Sequence, residues 1–136
     1  MTAITLSPTD RASFNGAMTA VLSDHATLRR LATVASKRGF LADDAMSLAE
    51  AMVTHESTEA RLFALPFITR PPETVTATAA RARRRCLEYT SGDFRLPDPS
   101  AAAAVFVDAL LAHLAAEEAW FAHEEEHEKE RLRIVA

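Results

Sequence analysis

The stretch THESTEARLF, residues 54–63, returns in altered form as AHLAAEEAWF, residues 112–121. In both, a histidine is followed by a glutamate four residues later and by a phenylalanine eight residues later. Residues four apart in an α-helix stand about 40° apart around the axis, so His55 with Glu59, and His113 with Glu117, project one turn apart from one face. The apolar residues nearby keep the same spacing: Ala45, Leu48, Met52 and Phe63 around the first pair, Phe106, Leu110 and Phe121 around the second. The pattern predicts two amphipathic helices whose apolar stripes each carry an imidazole and a carboxylate.

Two more helices follow by working outward. Pro8, Thr9 and Asp10 look like a helix start, with Thr9 or Asp10 as the cap. From there Phe14, Met18, Val21, His25, Leu28 and Leu31 form a stripe that ends at the basic SKRG and its Gly39. The second helix, which holds the first motif, is expected from the acidic LADD at 41–44 to Pro66, the acids suiting the positive end of the helix dipole. Pro71, Pro72 and Glu73 open the third, with Val75, Ala79, Ala82, Cys86 and Tyr89 as a weaker stripe. A second break is expected at Gly92 in SGDFRLPDPS, after which the fourth helix runs from about Ala101 into a charged tail. Four helices, each roughly 30–40 Å long, can hide their stripes only against one another. The expected fold is all-α: an antiparallel up-down four-helix bundle in which helices 1 and 2 form a hairpin echoed by helices 3 and 4.

With 136 residues the chain is sized for a single domain, 1–136, whose core covers about residues 10–125. Its 49% hydrophobic and 25% charged residues are those of a globular protein, so it should bury a core without disulfides. A formal charge of -4 argues against nucleic acid as a partner. The basic cluster Arg81, Arg83, Arg84 and Arg85 reads as a solvated face of helix 3. The lone Cys86 excludes an intramolecular disulfide and reads as a small buried apolar residue, a thiolate facing a metal being the alternative. The N-terminus has no signal-peptide pattern, and Arg, Asp or His interrupts each apolar run before about 20 residues. The expectation is a cytoplasmic protein that does not enter membranes. His123 and His127, in the acidic AHEEEHEKE, read as a solvated helix end.

The polar residues on the stripes carry the functional information. His25, His55 and His113 fall on three different stripes, two of them with a glutamate attached. A single histidine of this kind is commonly a hydrogen-bonded core residue, and a single His-x-x-x-Glu can be an exposed helical pair. Three imidazoles and two carboxylates converging in one bundle interior are harder to explain without a partner, because buried charges are paired or bound to metal. Imidazole nitrogen with carboxylate oxygen suits iron, manganese or zinc, whereas calcium and magnesium prefer oxygen shells.

These motifs resemble the hemerythrin-like, or HHE cation-binding, family of four-helix bundles with a non-haem di-iron site. The resemblance spans about residues 10–125. SDHATLRRL is similar to the family's first-helix element and implies His25 as a ligand. THESTEARLFALP is similar to its second-helix element and implies His55 and Glu59, the glutamate bridging two irons. AHLAAEEAWF is similar to the fourth-helix element and implies His113. The family's carboxylate there follows its histidine by five residues, which points to Glu118; helix geometry points to Glu117, since a fifth residue is turned about 140° away. Both stand as candidates. Helix 3, where the family supplies two histidines, has none in PPETVTATAARARRRCLEYT. This leaves a mononuclear site of His25, His55, Glu59 and His113; a dinuclear site completed by Glu117 or Glu118, Tyr89, Cys86 or water; or a former metal site now empty.

Three functions fit these expectations. The first is an iron-binding bundle that senses or handles dioxygen, nitric oxide or redox state, with a small diatomic molecule as ligand. The second is a metal-free protein-interaction or regulatory module, which could pair with a protein partner or with a second copy of itself. The third is an enzyme with a mononuclear iron or zinc that activates water.

Overall fold

A computed structural model describes residues 5–68, 71–91 and 99–135. Among them four helices occur and no strand: α1 is Pro8–Lys37, α2 Ala42–Phe63, α3 Glu73–Ser91 and α4 Pro99–Val135. The chain is an all-α four-helix bundle. α1 packs most closely on α2 and α3 on α4, while α1 with α4 and α2 with α3 touch more sparsely. The hairpin read from the sequence is therefore present twice. Contacts between α1 and α4 join Arg11 to Glu128 and His25 to Glu117, rising numbers on one helix meeting falling numbers on the other. Thr78 with His113 and Tyr89 with Phe106 follow the same order between α3 and α4. These two pairs run in opposite directions.

The ends follow local chemistry. Ser7, not Thr9 or Asp10, caps α1, its hydroxyl accepting the Asp10 amide at 3.1 Å. Pro8 then takes the first helical position, where its missing N–H costs nothing. After Lys37 the chain reverses through Gly39 (φ 74°) and Phe40 (φ 59°), and the Phe40 amide reaches back to the Ala35 carbonyl at 2.8 Å. Glycine carries the left-handed turn without strain, while Phe40 adopts it as a side chain packed on the core. α2 ends at Phe63, short of the expected Pro66, because a proline disfavours helical backbone in the residue before it. The break expected at Gly92 lies outside the described residues. α4 continues through the charged stretch, so the tail is helix and the whole of α4 is about 55 Å long.

The stripes are where the spacing puts them. Phe14, Met18, Val21 and Leu28 on α1, Leu48 and Met52 on α2, and Phe106 and Leu110 on α4 are all buried. They fall into two apolar clusters. One gathers Leu28, Leu48, Met52, Tyr89, Phe106 and Leu110; the other gathers Phe14, Val21, Leu62, Val75, Trp120 and Phe121. Phe14 meets Trp120 and Phe121 edge-on, with ring centroids 5.9 and 6.2 Å apart.

The far end of α4 is less solvated than its acidic composition suggests. Glu124 is fully buried, seven residues on from Glu117 along the same stripe. Arg11 is buried too, its guanidinium 5.4 Å from the Phe14 ring centre and 3.4 Å from Glu128. By length and composition alone Ser100–Ile134 is apolar enough to cross a membrane, with a window of mean hydropathy 1.4. This corrects the expectation that Arg, Asp or His breaks every apolar run before about 20 residues, since isolated polar residues do not offset so many alanines and leucines. Of that window 44% is buried inside the bundle.

Cys86 belongs to the first apolar cluster. Burial, with Glu56 nearby, pushes its thiol up to about 11 from the ordinary 9.0. Thiolate is the reactive form. Alkylation by iodoacetamide at pH 8 should therefore be about 100-fold slower in the folded protein than in urea. Equal rates in the two states would show that the thiol is exposed.

Candidate metal centre

Between the two apolar clusters lies a polar layer. α1 supplies His25, α2 supplies His55 and Glu59, and α4 supplies His113 and Glu117; all five are buried. The four- and seven-residue spacings on each stripe align them at one level of the bundle. The rings meet edge to face, His55 lying 5.2 Å from His25 and 5.6 Å from His113 between centroids. One oxygen of Glu117 meets the Nε2 atoms of all three rings, at 3.0 Å from His25, 2.9 Å from His55 and 3.2 Å from His113. Glu59 spans the other side, 3.2 Å from His55 Nε2 and 3.0 Å from His113 Nε2. One ligand atom from each of His55, Glu59, His113 and Glu117 can be chosen so that all lie within 4.8 Å of one another. Ligand atoms across one ion stand about 4 Å apart, so this group could hold a metal ion. The second oxygen of Glu117 is buried and has no hydrogen-bond partner.

What stands behind each ring decides how it is turned. His25 Nδ1 faces Glu118 at 2.6 Å, and His55 Nδ1 faces Asp24 at a longer 3.4 Å. Ionised carboxylates only accept, so both Nδ1 atoms carry hydrogen. His113 Nδ1 faces the Thr78 hydroxyl at 3.0 Å, and that hydroxyl already donates to the Thr74 carbonyl at 2.6 Å. Toward His113 it accepts, so the third Nδ1 is protonated as well. All three Nε2 atoms point inward, as donors when the ring is charged and as lone pairs when it is neutral.

The electrostatics follow from the crowding. Burial opposes ionisation of Glu117, but hydrogen bonds from His113, His25 and His55 outweigh it and hold this carboxyl far below its usual range. Glu59 goes the other way: burial raises its pKa, the Glu117 charge raises it further, and the bond from His113 compensates only in part. Burial disfavours charge on His113 too, yet the bonds to Glu117 and Glu59 prevail and push it up to about 9. His55 rises for the same reasons, burial again opposed by Glu117 and Glu59.

The two candidate glutamates of α4 part company. Glu117 points into the layer, whereas Glu118 lies behind His25, about a third exposed and clasped by Arg29 with N–O distances of 2.5 and 2.9 Å. Arg29 draws its carboxyl below the usual range. α3 contributes only the Thr78 hydroxyl to this layer. Arg83 pairs with Glu56 on the outside and Arg85 with a largely buried Glu88, while Tyr89 packs on Phe106 in the apolar cluster. Among the described residues, no arginine or tyrosine enters the centre to neutralise Glu59 or Glu117. Asp24 and Thr78 were not singled out from the sequence. Asp24 precedes His25 directly, and Thr78 lies three residues after Val75 and four before Ala82, on the stripe of α3; these positions were the hints available.

No family model matches the chain, and no curated protein or solved structure is significantly similar to it. What is said of its function therefore comes from the residues themselves.

Proposed function

We propose that the protein is a hemerythrin-like, non-haem iron-binding bundle that senses or handles dioxygen, nitric oxide or redox state. The observation that supports this is the common orientation of three buried imidazoles, each with an acceptor behind it and Nε2 turned toward two carboxylates. Nitrogen and oxygen donors in this mixture suit iron, with zinc or manganese as close competitors. The unpartnered oxygen of Glu117 fits a group that an ion would engage. His55, Glu59, His113 and Glu117 would hold one ion, with His25 joined to them through Glu117. A single ion is the natural count, because α3 offers no imidazole for a second. When bound, iron supplies Lewis acidity and a change of redox state.

The chain's own part is to hold the donors. Glu118, Asp24 and Thr78 fix ring orientation, a role whose loss commonly costs about 10–100-fold in metal affinity. The apolar clusters above and below close the layer at its two ends. In this reading the protein works in the cytoplasm on a small diatomic ligand, with neither nucleic acid nor membrane as a partner.

Protein purified without chelators should carry close to one equivalent of iron per chain and absorb in the near ultraviolet by charge transfer. His55→Ala should lose both. A metal-free protein whose melting temperature does not move on adding ferrous iron would overturn the proposal.

A second reading has one observation in its favour: the three imidazoles already pair with two carboxylates, so the layer can stand as a buried salt-bridge network. The bundle would then be a regulatory module, with the exposed arginines of α3 meeting an acidic protein. The same metal assay separates the two.

A further inference from the structure

Three walls of the polar layer carry histidine or glutamate, and the fourth carries small residues. Ala79 and Ala80 occupy the face of α3 nearest α2, and these two helices touch only sparsely. A cavity of about 330 Å³ results, reaching from the surface to Glu59 and His113. Its sides are apolar: Met52, Ala60 and Phe63 from α2, Ala79 and Ala80 from α3. At the mouth Arg83 pairs with Glu56 through two bonds, of 3.2 and 3.1 Å. Arg83 is 64% exposed there, and ion pairs so open to solvent are weak enough to be exchanged.

We infer that this cleft is the binding pocket for a small aromatic oxygen anion, whose oxygen reaches the side of the metal layer that α3 leaves without a ligand. The inference rests on the metal reading above. Size comes first: the volume lies at the lower end of the roughly 300–1,000 Å³ of small-molecule pockets, room for one substituted ring rather than a cofactor. Chemistry comes second. The walls favour an apolar body, and Arg83 at the rim favours a negative charge. The buried end holds Glu59, which repels an anion unless a cation is bound beside it. Binding should therefore depend on the metal. A diatomic molecule alone needs neither this volume nor the arginine.

The test uses 4-nitrophenolate at pH 8 and protein loaded with one equivalent of zinc, which adds no colour of its own. Metal content is measured on the same samples. Zinc-loaded protein should shift the probe's absorption saturably, and metal-free protein should need a concentration about tenfold higher or more. Ala79→Trp, which fills the cleft, should weaken the probe by about tenfold or more while zinc remains bound. Ala80→Leu serves as a milder block, and retained zinc reports that each variant is folded. Acetate, an anion without a ring, should displace the probe poorly and benzoate well. If the zinc-loaded protein leaves the probe unshifted, or binds it equally with Trp at position 79, the pocket inference falls and the metal reading stands. If neither zinc nor iron is taken up, both fall.

Discussion

Glu117→Ala is expected to abolish stoichiometric metal binding and to lower the stability of the metal-free protein by about 3–5 kcal/mol. Both effects come from one oxygen. Three Nε2 atoms meet it within 3.2 Å, and the side chain is wholly buried, so its removal leaves three Nε2 atoms facing a void, with Glu59 the carboxylate left to His55 and His113 on that side. Urea unfolding of the chelated protein gives the stability, and metal analysis gives the stoichiometry. A loss below about 1 kcal/mol would mean that water replaces the carboxylate freely and that the layer is not a tight network. Glu118→Gln is the internal contrast. Its side chain is partly exposed, bonded to Arg29 and to the outer nitrogen of His25, so the metal should stay, held about 10–100-fold more weakly, and unfolding should change little.

Phe106→Ala should cost about 3–5 kcal/mol for a different reason. The ring is fully buried among Leu110, Leu114 and Tyr89, 5.7 Å from the tyrosine centroid, and its loss opens a cavity that stiff helices cannot close. It lies two turns from His113, within the apolar cluster rather than the polar layer. The folded fraction should therefore bind metal with unchanged stoichiometry. Loss of metal in a variant that still unfolds cooperatively would show that the apolar cluster and the layer are not separable.

The fold was legible because helical periodicity is a long signal. Each stripe repeats over several turns, so Phe14 through Leu28, or Leu48 through Glu59, announces a buried face without help from other helices. His25, His55 and His113 could be read as inward for the same reason. Between Glu117 and Glu118, helix geometry pointed to the first and the family spacing to the second; what was not legible is Arg29 on another helix, which holds Glu118 outside. Glu124 escaped because its neighbours are charged, although it continues the 117, 121, 124 stripe. The α1 cap fell to Ser7 since two or three polar residues in a row can each reach an orphan amide. Hardest of all was α3. The absence of histidine there is plain in the sequence, but whether an arginine or Tyr89 turns inward to replace it is decided by packing, and both turn away.

The position of the polar layer, between two apolar clusters, has a consequence for how the helices are set against one another. A bundle with a uniformly greasy interior can slide one helix past its neighbour by a turn and lose little, since leucine substitutes for leucine. Here a one-turn slip of α1 would set His25 against hydrocarbon and leave Glu117 short of a donor, and a slip of α2 or α4 would part Glu59 from His113. Charged groups make such misalignment costly in a way that apolar contacts do not. The five side chains thus act as a key that admits one alignment of three helices, whether or not an ion ever turns in the lock.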